Sequence, residues 1–150
     1  MRYWLLKSEP SVYSIDTLKQ QKIGVWDGVR SYAARNNLQE MQKGDLAFFY
    51  HSSADVIGIA GIAEVARTAY PDPAQFDTQS PYYDAKSKED RPTWYAVNVR
   101  FKQKFAAPIT LTTLKQDPKL RDMLVVQKGS RLSVQEVSAR DFTYIIKTYT

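Results

Sequence analysis

The chain has 150 residues, 43% of them hydrophobic and 25% charged, enough to bury one core without covalent staples. With no cysteine and one histidine, it excludes disulfides, thiolate zinc sites and a cysteine nucleophile, and argues against any metal site. The net charge of +5 comes from the last third: residues 1–50 carry 7 basic and 5 acidic groups, residues 51–100 carry 5 and 7, and residues 101–150 carry 9 and 4.

A basic excess of this size suits contact with a polyanion and is equally what solubility requires. Ten tyrosines are the more unusual figure, since tyrosine suits sites needing a flat apolar body with a polar tip. The N-terminal apolar run is too short for a signal peptide, and no stretch approaches a membrane span. The expectation is a soluble, cytoplasmic, monomeric chain without membrane contact or cofactor.

In chain order, Tyr3-Trp-Leu-Leu6 reads as a buried strand that Pro10 stops, leaving Lys7, Ser8 and Glu9 at its end. Such a polar strand mouth fits either a ligand site or a simple turn. Ser14 can cap a short helix through Lys19, with Ile15 and Leu18 facing inward. Residues 26–38 place an indole, Trp26, at a glycine-containing turn, followed by a helix carrying Arg35, Asn36 and Asn37. An apolar strand then ends in Tyr50, His51, Ser52 and Ser53. Together these groups match a pocket for a planar heterocycle, with stacking faces, amides for polar edges and arginines for a phosphate. Local pattern alone favours a plainer match: a core tryptophan, a solvated helix face and a strand that ends at a loop.

Residues 56–67 are apolar on both faces and rich in β-branched side chains, as a central strand would be. Gly58 and Gly61 there suggest close backbone approach, and their spacing matches no phosphate-cradling loop. Residues 68–92 hold four of the seven prolines and read as a long irregular excursion, in which Tyr82 and Tyr83 either close over a ligand or pack the loop down. Residues 94–101 alternate as a half-buried strand. A short helix is expected near Leu111 to Lys115, a capped turn at Asp117-Pro118, a short strand around residues 131–134, and a last helix opened by Ser138 and Asp141. The fold class expected is α+β, one domain with five or six mostly antiparallel strands flanked by short helices.

Six segments in order carry a resemblance over nearly the whole chain. They are Tyr3-Trp-Leu-Leu-Lys-Ser-Glu-Pro10, Trp26-Asp-Gly-Val-Arg-Ser-Tyr-Ala-Ala-Arg-Asn-Asn-Leu38, Met41-Gln-Lys-Gly-Asp-Leu-Ala-Phe-Phe-Tyr-His-Ser52, Gly58-Ile-Ala-Gly-Ile-Ala-Glu-Val65, Ser80-Pro-Tyr-Tyr-Asp84 and Ser130-Arg-Leu-Ser-Val134. With them the chain resembles an EVE domain of the PUA-like superfamily. That resemblance implies a pseudo-barrel sheet and, as in related YTH domains, recognition of a modified base such as 5-methylcytosine in DNA or RNA. Carried onto this sequence, it implies a pocket built from Lys7, Ser8, Trp26, Val29, Arg30, Asn36, Tyr50, His51 and Ser52. Arg35, Tyr83, Arg131 and Ser133 would lie at the rim or on phosphates.

In such a pocket Trp26 would stack on an unpaired or flipped base, and Trp26→Ala would end binding with the fold intact. His51 reads as a hydrogen-bonding wall group rather than a catalyst. The alternatives are a nucleotide-directed enzyme using His51, Asp27 or Glu9 as acid or base, and an adaptor domain that binds no ligand.

Overall fold

A computed structural model describes all residues, Met1–Thr150. The strands are β1 (Tyr3–Ser8), β2 (Ile23–Trp26), β3 (Leu46–His51), β4 (Gly58–Pro71), β5 (Tyr95–Thr110) and β6 (Val134–Val137). The helices are α1 (Ile15–Gln21), α2 (Tyr32–Glu40), α3 (Leu111–Gln116) and α4 (Ala139–Tyr149). Each helix opens on a hydroxyl that caps a free backbone N–H: Ser14 accepts from Thr17, Ser31 from Ala34, Thr110 from Thr113 and Ser138 from Asp141. Caps of this kind stabilise a helix end by about 1 kcal/mol each.

All six strands form one sheet in the order β2-β5-β4-β3-β1-β6, with β1 and β3 parallel and every other pair antiparallel. The long strands alternate between two cores. Trp4, Leu6, Ala47, Phe49, Val97 and Val99 pack inward with α1 and α2, whereas Leu5, Phe48, Ile59, Phe105 and Ile109 pack outward with α3 and α4. The inner core joins Trp26 of β2 to Val134 of β6, residues from opposite ends of the strand order. The sheet therefore curls around α2, which packs against β4, β5 and β6 together.

This is the expected α+β sheet, but it is not a closed barrel, because β2 and β6 share no ladder. Gly58 and Gly61 allow the curl: a Cβ on either would meet the Ile109 or Gln103 carbonyl oxygen of β5. Register shifts along β4 and β5 add to the bending.

Four boundaries differ from expectation. β2 is a strand that the sequence did not signal, and β4 runs on to Pro71. β5 continues through Pro108 to Thr110, and β6 starts only at Val134.

Candidate functional site

A cavity of about 790 Å³ lies where the curled sheet fails to close. The β1 end supplies Lys7, Ser8 and Glu9, and the next turn supplies Val12 and Tyr13. All of β2 and the loop from Asp27 to Arg30 form the opposite wall, with Gln21, Tyr82 and Ser133 completing it.

The two sheet edges differ. Phe101 N donates to Lys22 O, and the β2–β5 register then places Gly24 and Trp26 in hydrogen-bonded pairs with Val99 and Val97. The N–H and C=O groups of Ile23 and Val25 consequently face the free edge, on the cavity. By the same alternation β6 turns the Val134 carbonyl away from β1, but the Asn37 amide donates to it at 2.7 Å. The Ile23 and Val25 carbonyls on the β2 edge have no such donor.

Three aromatic rings line the cavity. Trp26, 5% exposed, meets Phe49 edge-on at 5.4 Å and Tyr13 at 5.9 Å, so it serves as core and floor together. The Tyr13 hydroxyl donates to Gln21 Oε1 at 2.7 Å. Tyr82 lies against Gly28, whose φ of +75° and missing Cβ let the ring approach to 2.8 Å of where a Cβ would stand.

The wall around Gly28 is fixed by a carboxylate that the sequence analysis passed over. Asp72 is fully buried, and it accepts from Gly28 N at 2.9 Å, Arg30 Nη1 at 3.0 Å and Ala74 N at 2.8 Å. Arg30 also donates to Val29 O and, through Nε and Nη2, to Tyr82 O, between the rings of Tyr82 and Trp94. Behind it, buried Gln75 ties Asp72 O, Ser87 Oγ, Thr93 N and Trp94 N together, and Asp84 accepts from the Trp94 indole. The excursion is thus a pinned wall that presents Tyr82 while leaving Tyr83 exposed.

Three ionisable groups in the lining are perturbed, the Tyr13 hydroxyl being pushed up mainly by burial. Burial, and then the Asp72 carboxylate, push the Asp27 carboxyl up, and Asp27 has no side-chain partner among the hydrogen bonds and ion pairs of the protein. Burial lowers the Lys7 ammonium, which donates to Ser130 O at 3.4 Å.

Of the residues expected at the pocket, Lys7, Ser8, Trp26, Val29, Arg30 and Ser133 line this cavity. The others lie elsewhere, for identifiable reasons. Tyr50 alternates to the outer core, and His51 Nε2 accepts from Ile15 N at 3.1 Å, at the start of α1. Ser52 N donates to Ser8 O, and Asn36 is exposed, its carbonyl oxygen held by the Arg35 guanidinium. Arg35 also donates to Thr93 O and covers the Tyr32 ring, while Tyr83 and Arg131 point to solvent. The lining residues missed include Tyr13, Gln21, Val25 and Gly28. Their signal was β2 itself, whose partner strand lies more than 70 residues away.

The EVE domain family matches residues 2–148. A Pseudomonas syringae protein of known crystal structure is 46% identical, with a TM-score of 0.94 and 97% of each chain covered. Human thymocyte nuclear protein 1, crystallised in complex with 5-methylcytosine-containing DNA, is 38% identical with a TM-score of 0.91, covering 98% of this chain and 96% of that one. Compared over its full length, that human protein is 38% identical across 96% of this chain and 72% of its own. The YTH domain of Zygosaccharomyces rouxii MRB1 shares the fold, at 18% identity and a TM-score of 0.54, with 97% and 84% covered. With a family match across almost its whole length and relatives 38–46% identical over nearly all of it, the chain belongs to the EVE domain family.

Proposed function

We propose that this protein is a non-catalytic reader of a modified nucleobase, taking an unpaired or flipped base into the cavity beside β2. The observation that carries this reading is the meeting of aromatic rings with an unpaired strand edge in one cavity. Tyr13 and Tyr82 offer rings for stacking over the Trp26 floor, and the Ile23 and Val25 backbone offers donors and acceptors to a base edge. The 38% identical human relative, solved with 5-methylcytosine DNA, supports the same reading. The single histidine is engaged at α1 rather than in the cavity, which weighs against an acid–base enzyme.

One methyl group contributes only about 0.8 kcal/mol on burial, about fourfold in affinity. Selectivity for a mark then depends on cavity shape and on excluding water. Arg30 donates four times within the protein, so phosphate contacts fall to other cations.

The test is calorimetric titration with single-stranded DNA and RNA carrying cytosine, 5-methylcytosine, 5-hydroxymethylcytosine, adenine or N6-methyladenine, at two salt concentrations. One modified member should bind tightest, and Tyr82→Ala should weaken it by about 1–3 kcal/mol, the scale of one stacking contact. Tyr82 holds Arg30 through its backbone oxygen, so this variant keeps the wall. Affinities that ignore the base and vanish with salt would leave only a basic surface.

A further inference from the structure

The cavity lining is short of donors in one place. Asp27 follows the Trp26 floor directly and lines the same space, yet no side-chain donor reaches its carboxylate, which is left with a backbone N–H alone. The nearest guanidinium cannot serve it, because Arg30 gives its N–H groups to Val29 O, Asp72 and Tyr82 O. Lys7 is turned toward Ser130 O and the Tyr50 ring. A second carboxylate, buried Asp72, adds to the negative field there. The Asp27 charge is also felt at the Tyr13 hydroxyl, a ring of the same lining, whose pKa is raised by burial and then by Asp27.

A carboxylate without a side-chain donor gains from an incoming N–H and loses from an incoming carbonyl oxygen. Among pyrimidines, the exocyclic group beside ring nitrogen N3 divides the two cases: cytosine carries an amino group there, and thymine and uracil carry an oxygen. Adenine and hypoxanthine divide the same way at the six-position.

We propose that Asp27 selects the class of base. Its carboxylate accepts the exocyclic amino N–H of a cytosine- or adenine-type base and rejects the corresponding oxo base, whether or not a methyl group is present. This rests on the base-reading function proposed above and adds the chemical class of the ligand to it.

Thymine tests this cleanly, because it has the same 5-methyl group as 5-methylcytosine and differs at the amino position. Single-stranded oligonucleotides identical except for one central 5-methylcytosine, thymine or abasic site would be titrated against the full chain by fluorescence anisotropy. The wild-type protein should prefer 5-methylcytosine over thymine by at least about tenfold, within the range of one well-made base-edge contact. Asp27→Asn presents an NH₂ that can donate to the thymine oxygen, so the preference should collapse or invert. Asp27→Ala should lose the preference without inverting it. Asp27 is exposed at the cavity mouth, so melting curves should show both variants folded.

Equal wild-type affinity for the two methylated bases, both tighter than the abasic strand, would overturn the role of Asp27 and leave the reader intact. So would a preference unchanged in Asp27→Asn. Wild-type affinity no better for either base than for the abasic strand would overturn the reader itself, and this proposal with it.

Discussion

His51 shows how one side chain links pH to the integrity of the fold. Its Nε2 accepts from Ile15 N, so the bond exists only while that nitrogen is unprotonated. Burial lowers its pKa, opposed by Asp16 and reinforced by Lys104. A depressed histidine pKa means that the unfolded chain takes up the proton first as pH falls. The stabilisation is therefore complete above the ordinary value of about 6.5 and is lost progressively below it. The depressed carboxylates Asp16, Asp45, Asp84 and Asp117 act at lower pH, outside this window. Melting temperature should fall between pH 7.5 and 5.5 in the wild type and much less in His51→Gln. Parallel slopes would show that another group titrates. Trp26 is the opposite kind of residue: the sequence left a stacking platform and a core tryptophan both open, and the ring is built into the core. Trp26→Ala removes the partner of Phe49 and Tyr13, so it costs about 3–5 kcal/mol of stability. Loss of binding in that variant would not separate floor from fold.

Local chemistry announces elements, and long-range pairing hides them. The caps at Ser14 and Ser138 and the inward pair Phe142 and Ile145 were legible because each signal spans one or two turns. β2 was not: its four residues include a glycine and two exposed apolar side chains, and they become a strand only against β5. Asp72 was hidden for the same reason. Beside Pro73 it looks like a turn residue, yet its partners Gly28 and Arg30 lie 44 and 42 positions away. Asp72→Asn keeps the shape but removes the counter-charge of a guanidinium that is one-fifth exposed. It should cost about 3 kcal/mol, the low end for breaking a buried pair, and should loosen Tyr82. Thermal melts would read the first effect and ligand titration the second; a melting temperature within a degree of wild type would show that Asp72 is dispensable to the wall.

The molecule as a whole is a sheet curled almost far enough to close, and its cavity occupies the gap. The resemblance drawn from sequence supplied the fold, and the β1 end, Trp26 and the loop after it, which it named for a pocket, all reach the cavity. It also drew in the end of β3, which the strand order sets on the far side of β1 from β6 and whose Tyr50 faces the outer core. The alternation of pleats decides which groups can touch a ligand, and alternation is known only once the register is known.

An unfinished sheet has a kinetic signature. The amides of Ile23 and Val25 have no acceptor within the protein, whereas Gly24 and Trp26 are held in the ladder with β5. A ligand seated along that edge would act as a missing rung. Amide hydrogen exchange, followed residue by residue, should then slow at positions 23 and 25 on binding and change little at 24 and 26. A uniform slowing along β2 would mean general tightening instead. Protection at every second amide would identify a guest that completes the sheet.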